Sequence, residues 1–180
     1  VRSWDTGPSR YDYSRALAVT PGGNVYVTGY ADPPAGGSDD IFTVGYDTNG
    51  NLLGTARYNG PGNGYDYGRA VNVDPAGNVY VHGYSYNGSN YDHVTIKYTP
   101  SLSQLWVSRY DSGQQDYATD GRLIAFGASG EVFVGAYSYN FMGSTSYYDY
   151  AVQSLNASTG AQNWVRHWNG PGDSYDYLNS

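Results

Sequence analysis

The sequence predicts an all-β fold of tandem four-stranded antiparallel sheets, three of them complete and a fourth only begun. Two observations predict it. A segment of about fifty residues recurs along the chain, as expected for repeat architectures, and apolar and polar residues alternate within its parts. The composition agrees with strands, because 22 of the 180 residues are tyrosine and 25 are glycine, whereas glutamate and lysine each occur once.

An aromatic residue, followed by a stretch rich in glycine, aspartate and asparagine, marks the start of each repeat. The marker residues are Trp4, Tyr58, Tyr110 and Trp168. The stretches read WDTGPSRYDY, YNGPGNGYDY, YDSGQQDY and WNGPGDSYDY. Residues 1–180 are therefore interpreted as a single repeat domain. Its predicted units are 4–57, 58–109 and 110–167, with a partial unit at 168–180.

Each repeat is predicted to contain four short strands. In the first repeat they begin with RALAV from Arg15, followed by GNVYVTGY and then DIFTVGY from Asp40. The hairpin Asp47–Gly50 contains an Asn-Gly pair, which favours a type I′ turn. The fourth strands are expected to end at Arg57, Arg109 and Arg166. The inward-facing residues predicted for the first strands are Leu17, Val19, Val71, Val73, Ile124 and Phe126.

The third repeat departs from the other two. It has three extra residues around 118–120, and Gln153 interrupts the apolar alternation of its third strand. The histidines His82, His93 and His167 occupy non-equivalent repeat positions and are interpreted as surface or strand-face residues. No pair of them has the spacing of a metal site, and no HExxH or Ser-His-Asp order is present.

Two segments carry a family resemblance: GNVYVTGY from residue 23 and NGPGNGYDYGRAVNVDPAGNVYVHGY from residue 59. They resemble the bacterial beta-propeller repeat family, often called SBBP, which is found mainly in large secreted or surface proteins. The resemblance covers essentially the whole chain. It implies that each sheet is a propeller blade and that the protein is extracellular or on the cell surface. It implies no catalytic residues, because that family has none in common.

Charge and composition exclude several classes of partner. The net charge of −7 argues against a nucleic-acid backbone and against an anionic membrane surface. Membrane insertion is not expected, because no apolar run approaches the roughly 20 residues that a spanning helix needs. The absence of cysteine excludes disulfides and thiolate metal sites. No signal peptide is visible and Val1 falls inside a repeat, so a processed piece or a fragment is expected.

Three blades are expected to leave open sheet faces, because closed propellers have about four to eight. The segment VRSW at residue 1 matches VRHW at residue 165. We therefore expect head-to-tail self-association or completion by sister blades, with truncation of a longer array as the alternative. The residues expected at this contact are Val1, Arg2, Trp4, Val165, Arg166, Trp168, Tyr175 and Tyr177.

Tyrosines next to asparagine and aspartate are typical of sugar-binding surfaces, which stack on the ring and bond the hydroxyls. The YDY and YSYN segments are candidates for such a surface. The predicted ligand-binding residues are Tyr84, Tyr86, Asn87, Tyr137, Tyr139 and Asn140. The alternative, which we favour for most of these tyrosines, is that they fill the space between blades.

Recurring aspartates and arginines are expected to form ion pairs, or arginine–tyrosine stacks, between neighbouring blades. Aspartates in loops also bind calcium. Asp47 and Asn49 are calcium candidates of this kind, but a turn role is favoured because the terminal glutamate of a calcium loop is missing. No other metal or cofactor is predicted. Two sequons, at Asn87 and Asn156, are candidate glycosylation sites.

These observations together favour a non-enzymatic, extracellular structural module that assembles with copies of itself, as in a surface or filamentous assembly. A carbohydrate-binding, lectin-like propeller module is the alternative. A fragment of a propeller lyase or hydrolase is the third reading, because plentiful aspartates leave room for paired catalytic carboxylates.

Overall fold

The computed structural model describes residues 11–119, 123–142 and 145–170, with the backbone alone at 140–142 and 145–147. The described residues form thirteen strands and no helix. The predictions of an all-β fold and of four-stranded antiparallel sheets are confirmed. Each of the three predicted complete repeats forms one sheet whose strands follow the chain order.

The first two sheets have the same layout. Sheet I contains β1 (Asp12–Val19), β2 (Val25–Ala31), β3 (Asp40–Tyr46) and β4 (Leu52–Tyr58). Sheet II contains β5 (Asp66–Val73), β6 (Val79–Tyr86), β7 (Tyr91–Tyr98) and β8 (Gln104–Tyr110). Their first strands begin three residues before the predicted starts, because the pairing extends past a bulge at Arg15 and Arg69.

Sheet III differs from the others at its first strand. It contains β9 (Asp116–Tyr117), β10 (Ile124–Phe126), β11 (Glu131–Met142), β12 (Thr145–Asn156) and β13 (Gln162–Trp168). Both β9 and β10 pair with β11, so they take the place of one continuous strand. The break follows the extra residues that the sequence places around 118–120.

The hairpin between β3 and β4 is not the predicted type I′ turn. That turn needs a positive φ at both central residues, whereas here the positive φ lies at Gly50 alone, at 78°. The Gly50 amide donates to the Asp47 carbonyl at 2.9 Å. The Asp47 carboxylate accepts hydrogen bonds from the amides of Asn49 and Asn51 at 2.9 and 2.7 Å. These bonds favour a type I turn followed by a glycine bulge.

The sheets stack face to face, and alternation along each strand gives every sheet two distinct sides. The front face is the side that carries Tyr26 in sheet I and Tyr80 in sheet II, and the back face is the opposite side. The front of sheet I packs on the back of sheet II, and the front of sheet II packs on the back of sheet III. The first contact includes Tyr26, Ile41, Val71, Val81, Val94 and Ile96. The second includes Ala70, Tyr80, Ile124, Val132, Val134 and Leu155.

The inward-facing prediction for the first strands holds where a sheet has a neighbour. Val71 and Ile124 lie on back faces and are buried in these contacts. Leu17 and Val19 lie on the back of sheet I and are exposed, at 60% and 53%. The prediction was therefore wrong for sheet I, because none of the described residues covers that face.

The expected equivalence of Arg166 with Arg57 and Arg109 was also wrong. Arg57 pairs in register with Phe42, and Arg109 with Val94, on the back faces. In sheet III it is His167 that pairs with the matching residue, Ala151. Arg166 is one position earlier and lies on the front face. The histidine inserted before Trp168 causes this offset.

All three histidines lie on strand faces, one of the two positions predicted for them, but the face that carries two of them is buried. His82 and His93 are fully buried on the front of sheet II, whereas His167 is exposed. The His82 Nδ1 lies 3.0 Å from the Thr95 Oγ1. The His93 Nδ1 lies 2.7 Å from the Gln153 Nε2 on the back of sheet III. The polar Gln153, which interrupts the apolar alternation of β12, is therefore the hydrogen-bond partner of the buried His93.

Candidate functional site

A continuous row of tyrosines crosses all three sheets at one end of the stack, and we call it the tyrosine tract. Its members are Tyr13, Tyr30, Tyr67, Tyr84, Tyr117 and Tyr137. Each sheet supplies one pair of them, at directly opposed positions of its first and second strands. Opposed side chains on neighbouring strands lie close together, so the pairing register itself brings the rings into contact.

The tract continues from sheet to sheet through edge-to-face ring contacts. Tyr30 of sheet I meets Tyr67 of sheet II with centroids 4.7 Å apart and ring planes at 86°. Tyr84 of sheet II meets Tyr117 of sheet III at 5.1 Å and 85°. This geometry is favoured because the positive edge of one ring faces the negative face of the next. The tract therefore helps to join the sheets.

Arginine side chains stack on the tract in sheets I and II. The Arg15 guanidinium lies 5.1 Å from the Tyr30 ring centroid and donates to its hydroxyl at 2.6 Å. Arg69 does the same to Tyr84, at 5.2 and 2.7 Å. Arginine–tyrosine stacking is found, and these two stacks lie within a sheet, whereas the prediction placed them between neighbouring sheets. Both arginines sit at the bulge of the first strand, which aims them at the second.

Burial raises the pKa of three tract tyrosines, Tyr67, Tyr117 and Tyr137. It is the largest factor raising the pKa of Tyr117 and of Tyr137 to about 12, and the neighbouring tyrosines act in the same direction. The pKa of Tyr67 is raised by the same causes. These hydroxyls therefore remain hydrogen-bond donors throughout the physiological range of pH.

The glycine-rich loop before β5 presents a further tyrosine, Tyr65, at the edge of the tract. Its ring is nearly parallel to that of Tyr67, at 6° with centroids 6.1 Å apart, and its side chain is 49% exposed. Tyr11 stacks on Tyr13 in the same way in sheet I, at 21° and 6.2 Å. The spacing of two residues in YDY places both rings on one side of the strand.

The central aspartate of the YDY motif holds its loop in place. Asp66 is buried, and its carboxylate accepts a hydrogen bond from the Gly60 amide at 2.7 Å. Burial raises the pKa of Asp66. In sheet III, Asp116 accepts from the amide and the hydroxyl of Ser112 at 2.8 and 2.9 Å. These bonds support the turn role of the recurring aspartates.

The predicted ligand-binding tyrosines lie within or beside the tract. Tyr84 and Tyr137 are both in contact with Tyr117, so the structure brings them together. Tyr84 is only 8% exposed and offers little surface to a ligand. Tyr86 and Tyr139 are half-buried against Tyr91 and Tyr148. The side chain of Asn140 lies outside the described residues.

The two sequon asparagines are engaged in turns. The Asn87 Nδ2 donates to Asp92 at 2.7 Å and also to Asn90, and its Oδ1 accepts from the Ser89 amide at 2.8 Å. The Asn156 Oδ1 accepts from the Ser158 amide at 3.0 Å and from its hydroxyl at 2.6 Å. A glycan on Asn87 would replace hydrogen bonds inside the protein, so this site is less suited to glycosylation than Asn156.

Asp47 and Asn49, the calcium candidates, form part of the hairpin turn. The Asp47 carboxylate also accepts from the Asn51 side chain at 2.9 Å, and the Asn51 hydrogen bonds lower the pKa of Asp47. Among the described residues there is no group of three or more acidic or histidine side chains arranged to hold a metal. None of the described segments is a helix with the length and apolarity required to cross a membrane.

Aspartate–arginine ion pairs are found within sheets I and II, whereas the prediction placed them between neighbouring sheets. Arg57 contacts Asp40 at 3.2 Å, and Arg109 contacts Asp92 at 2.7 Å. Burial raises the pKa of both aspartates, and the arginines oppose that effect. Arg109 also reaches the Tyr58 hydroxyl of sheet I at 2.8 Å, which links the two sheets.

The residues expected at a head-to-tail contact divide into two groups. Trp168 and Arg166 are exposed and Val165 is half-buried, all in β13. The others fall outside the described residues. They are Val1, Arg2, Trp4, Tyr175 and Tyr177.

The sequence-based list of candidate residues omitted the exposed rings Tyr11 and Tyr65 and the central ring Tyr117. Their signal was present in the YDY motif, whose first tyrosine is free to project from the loop. The shorter loop of the third repeat carries Gln115 at that position. The Gln115 side chain accepts from the Tyr91 amide at 3.1 Å, so it takes part in internal bonding.

Comparison with known proteins finds similarity at the level of solved structures. No family model matches the chain. No curated protein sequence matches it. A crystal structure of a protein of unknown function from Bacteroides caccae is similar, with a TM-score of 0.44 and 10% sequence identity. The match covers 85% of this chain and 60% of that protein, so this chain spans less than two thirds of its length.

Proposed function

We propose that this chain is a non-enzymatic structural module that assembles with copies of itself through its open sheet faces. One observation carries the proposal. Leu17 and Val71 occupy the same position on the back faces of sheets I and II, yet Leu17 is 60% exposed and Val71 is 9% exposed. The difference is that a sheet covers Val71. Covering the back of sheet I would bury the same kind of apolar surface, which is the main favourable term in association.

The occupant we propose for the back of sheet I is the front of sheet III from a second copy. In both internal contacts a front face covers a back face, and sheet III is the described sheet whose front is open. That front exposes Val152, Trp164 and Trp168. The contact would join unlike faces, so copies would add head to tail and form a ring or a fibre.

Residue sizes at the two open faces support this pairing. A side chain at Gly68 would approach the Thr28 hydroxyl oxygen of sheet I to 2.8 Å. The back of sheet I has Ser14 at the position of Gly68, and the front of sheet III has Gly135 at the position of Thr28. In the proposed contact Ser14 of one copy, at the position of Gly68, would therefore face Gly135 of the other copy, at the position of Thr28. A groove of about 360 Å³ lined by Ser14, Val27 and Phe42 is open to receive the partner.

The roles of the recurring polar residues support a structural module. The aspartates at repeated positions hold loops or pair with arginines, as Asp66 and Asp92 do. The proposal extends to an extracellular location and to propeller-type stacking, which rest on the resemblance to beta-propeller repeats. Carbohydrate binding is the second candidate function, and the exposed rings of Tyr11 and Tyr65 favour it.

Sedimentation velocity over a range of protein concentrations tests the assembly. We expect species larger than the 19.6 kDa monomer, and we expect Leu17→Asp combined with Val19→Asp to return the chain to the monomer. The control is Leu105→Asp, which adds a charge at a residue exposed to 51% on β8 of sheet II. A monomer at every concentration would contradict the proposal, as would oligomers that survive the double substitution.

A further inference from the structure

We infer that the exposed tyrosines beside the tract, Tyr11 and Tyr65, form a stacking platform for a neutral oligosaccharide. It rests on the second candidate function, carbohydrate binding, and is independent of assembly, because Tyr11 and Tyr65 do not line the groove that would receive a second copy. The inference starts from a difference in exposure between the tract and the rings at its edge. Tyr84 of the tract is covered by its neighbours, whereas Tyr11 of sheet I and Tyr65 of sheet II are exposed.

The exposed rings are held in fixed orientations. Tyr65 lies nearly parallel to Tyr67 and is about half exposed. Its carbonyl accepts a hydrogen bond from the Tyr86 amide at 3.3 Å, and the Tyr86 carbonyl accepts one from the Gly62 amide at 3.2 Å. A Cβ atom at Gly64 would lie 2.5 Å from the Tyr86 ring, so the loop passes directly over that ring. Preorganised aromatic rings bind at a lower cost in conformational entropy.

Hydrogen-bonding groups surround the exposed rings. The Asn59 Nδ2 donates to the Asn63 Oδ1 at 3.1 Å, and both asparagines are exposed in the loop that carries Tyr65. Asp32 lies beside Tyr11, because the two residues are joined by a backbone hydrogen bond. Amides and carboxylates in this arrangement suit hydroxyl groups, which both donate and accept.

The charge around the platform selects among ligands. Asp32 and Asp39 lie next to the tract, and burial together with Asp32 raises the pKa of Asp39 to about 6. The chain as a whole carries a net charge of −7. A polyanionic ligand would be repelled, whereas an uncharged sugar is not. A sugar ring has an apolar face that fits an exposed tyrosine and a rim of hydroxyls that fits the nearby amides.

The platform repeats with the sheets, which favours a chain of sugars over a single one. Tyr11 and Tyr65 hold the same position in sheets I and II and are connected through Tyr13, Tyr30 and Tyr67, with each successive pair of ring centroids within 6.2 Å. A ligand that spans both sheets would gain from both rings at once, because the second contact is then intramolecular.

Isothermal titration calorimetry with three neutral hexasaccharides tests the inference. The probes are cellohexaose, maltohexaose and chitohexaose, with decaproline as a peptide probe for the same rings. We expect at least one hexasaccharide to bind and Tyr65→Ala to weaken it by about tenfold or more, on the scale of one lost stacking contact. Tyr65→Phe keeps the ring and is expected to retain most of the affinity.

Leu105→Ala is the matched control, because Leu105 is an apolar residue of similar exposure away from the tract. The inference is overturned if none of the three sugars binds, if binding survives Tyr65→Ala, or if decaproline binds in their place. Sedimentation of the same samples separates this result from the assembly proposal. A chain that binds sugar as a monomer contradicts assembly alone, and an assembled chain that binds no sugar contradicts the platform alone.

Discussion

Two glycines at matching positions of sheets I and II allow the first strand to bulge against the second. A Cβ atom at Gly29 would lie 1.7 Å from the Tyr13 carbonyl oxygen, and one at Gly83 would lie 1.9 Å from that of Tyr67. Neither distance is sterically permitted. Sheet III carries Ala136 at this position and has a split first strand. The break in the first strand of sheet III therefore makes room for the Ala136 side chain.

We predict that Gly83→Ala destabilises the protein by about 3 kcal/mol, because the backbone of β5 must move away from β6. The free energy of unfolding, measured by urea denaturation at a fixed protein concentration, checks this value. Ala136→Gly is the matched control, with an expected cost of about 1 kcal/mol or less from added chain entropy. Equal effects of the two substitutions would contradict the steric explanation.

Ion pairing at the fourth strand distinguishes two arginines that look alike in the sequence. Arg109 contacts Asp92 at 2.7 Å, the Ser85 hydroxyl and the Tyr58 hydroxyl. Arg166 is exposed, donates to the adjacent Val165 carbonyl and lies 6.0 Å from the Trp164 ring. Arg109 joins its own strand, β8, to three others, β7, β6 and β4, whereas these two contacts of Arg166 lie within its own strand.

Arg109→Met should therefore lower the free energy of unfolding by about 2 kcal/mol, since it leaves Asp92 largely buried without its cation. This figure is below that of a fully buried pair because the Arg109 side chain is partly exposed to solvent. Arg166→Met should cost less than about 0.5 kcal/mol. Urea denaturation of the two variants side by side measures the difference. A loss of stability in the Arg166 variant as large as that in the Arg109 variant would contradict this prediction.

Local patterns predicted the strands better than the contacts between them. Alternation in GNVYVTGY and DIFTVGY reflects the two sides of a strand, so β2 and β3 could be assigned directly. The split into β9 and β10 could not, because it depends on how an insertion is absorbed by a partner strand. The burial of His82 and His93 was missed for a related reason. A polar residue on a strand looks solvent-facing until the neighbouring sheet supplies its hydrogen-bond partner, here Gln153.

The tyrosine tract was only partly predictable, because the neighbouring sheet again decides which side chains are buried. The YDY and YSYN motifs identify where tyrosines cluster, but exposure depends on the next sheet. Tyr84 belongs to a YSYN motif and Tyr65 to a YDY motif, so the sequence marks both. Tyr84 is buried by its neighbours, whereas Tyr65 projects from a loop and is exposed. Stacking of one sheet on another decides which rings a ligand can reach.

The two contacts between sheets differ in chemistry across the whole molecule. Between sheets I and II the buried front face presents Thr28, Ile41 and Thr43. Between sheets II and III the matching positions are His82, His93 and Thr95. Burial lowers the pKa of His82 to about 3, and the nearby His93 acts in the same direction. Burial also lowers the pKa of His93, whose surroundings include Asp116 and His167.

We predict that acid weakens the contact between sheets II and III before the contact between sheets I and II. Both buried histidines are neutral when folded and gain a proton when released, so the unfolded state binds more protons below its ordinary pKa of 6.5. The stability that their neutral forms contribute is complete above pH 6.5. For His82 it is lost as the pH falls toward the folded pKa of about 3, at up to about 1.4 kcal/mol per pH unit. The lowered pKa of His93 acts in the same direction.

His82→Thr introduces the residue type found at the same position of sheet I and removes one of the two titrating groups. The slope of unfolding free energy against pH between 6 and 4 should then fall by about 1 kcal/mol per pH unit relative to the unmodified chain. Leu105→Thr, at an exposed residue that carries no titrating group, is the control and should leave the slope nearly unchanged. Parallel slopes for the His82 variant and the unmodified chain would mean that the buried histidines do not set the acid sensitivity. Limited proteolysis at pH 4 locates the opening, which is expected in sheet III.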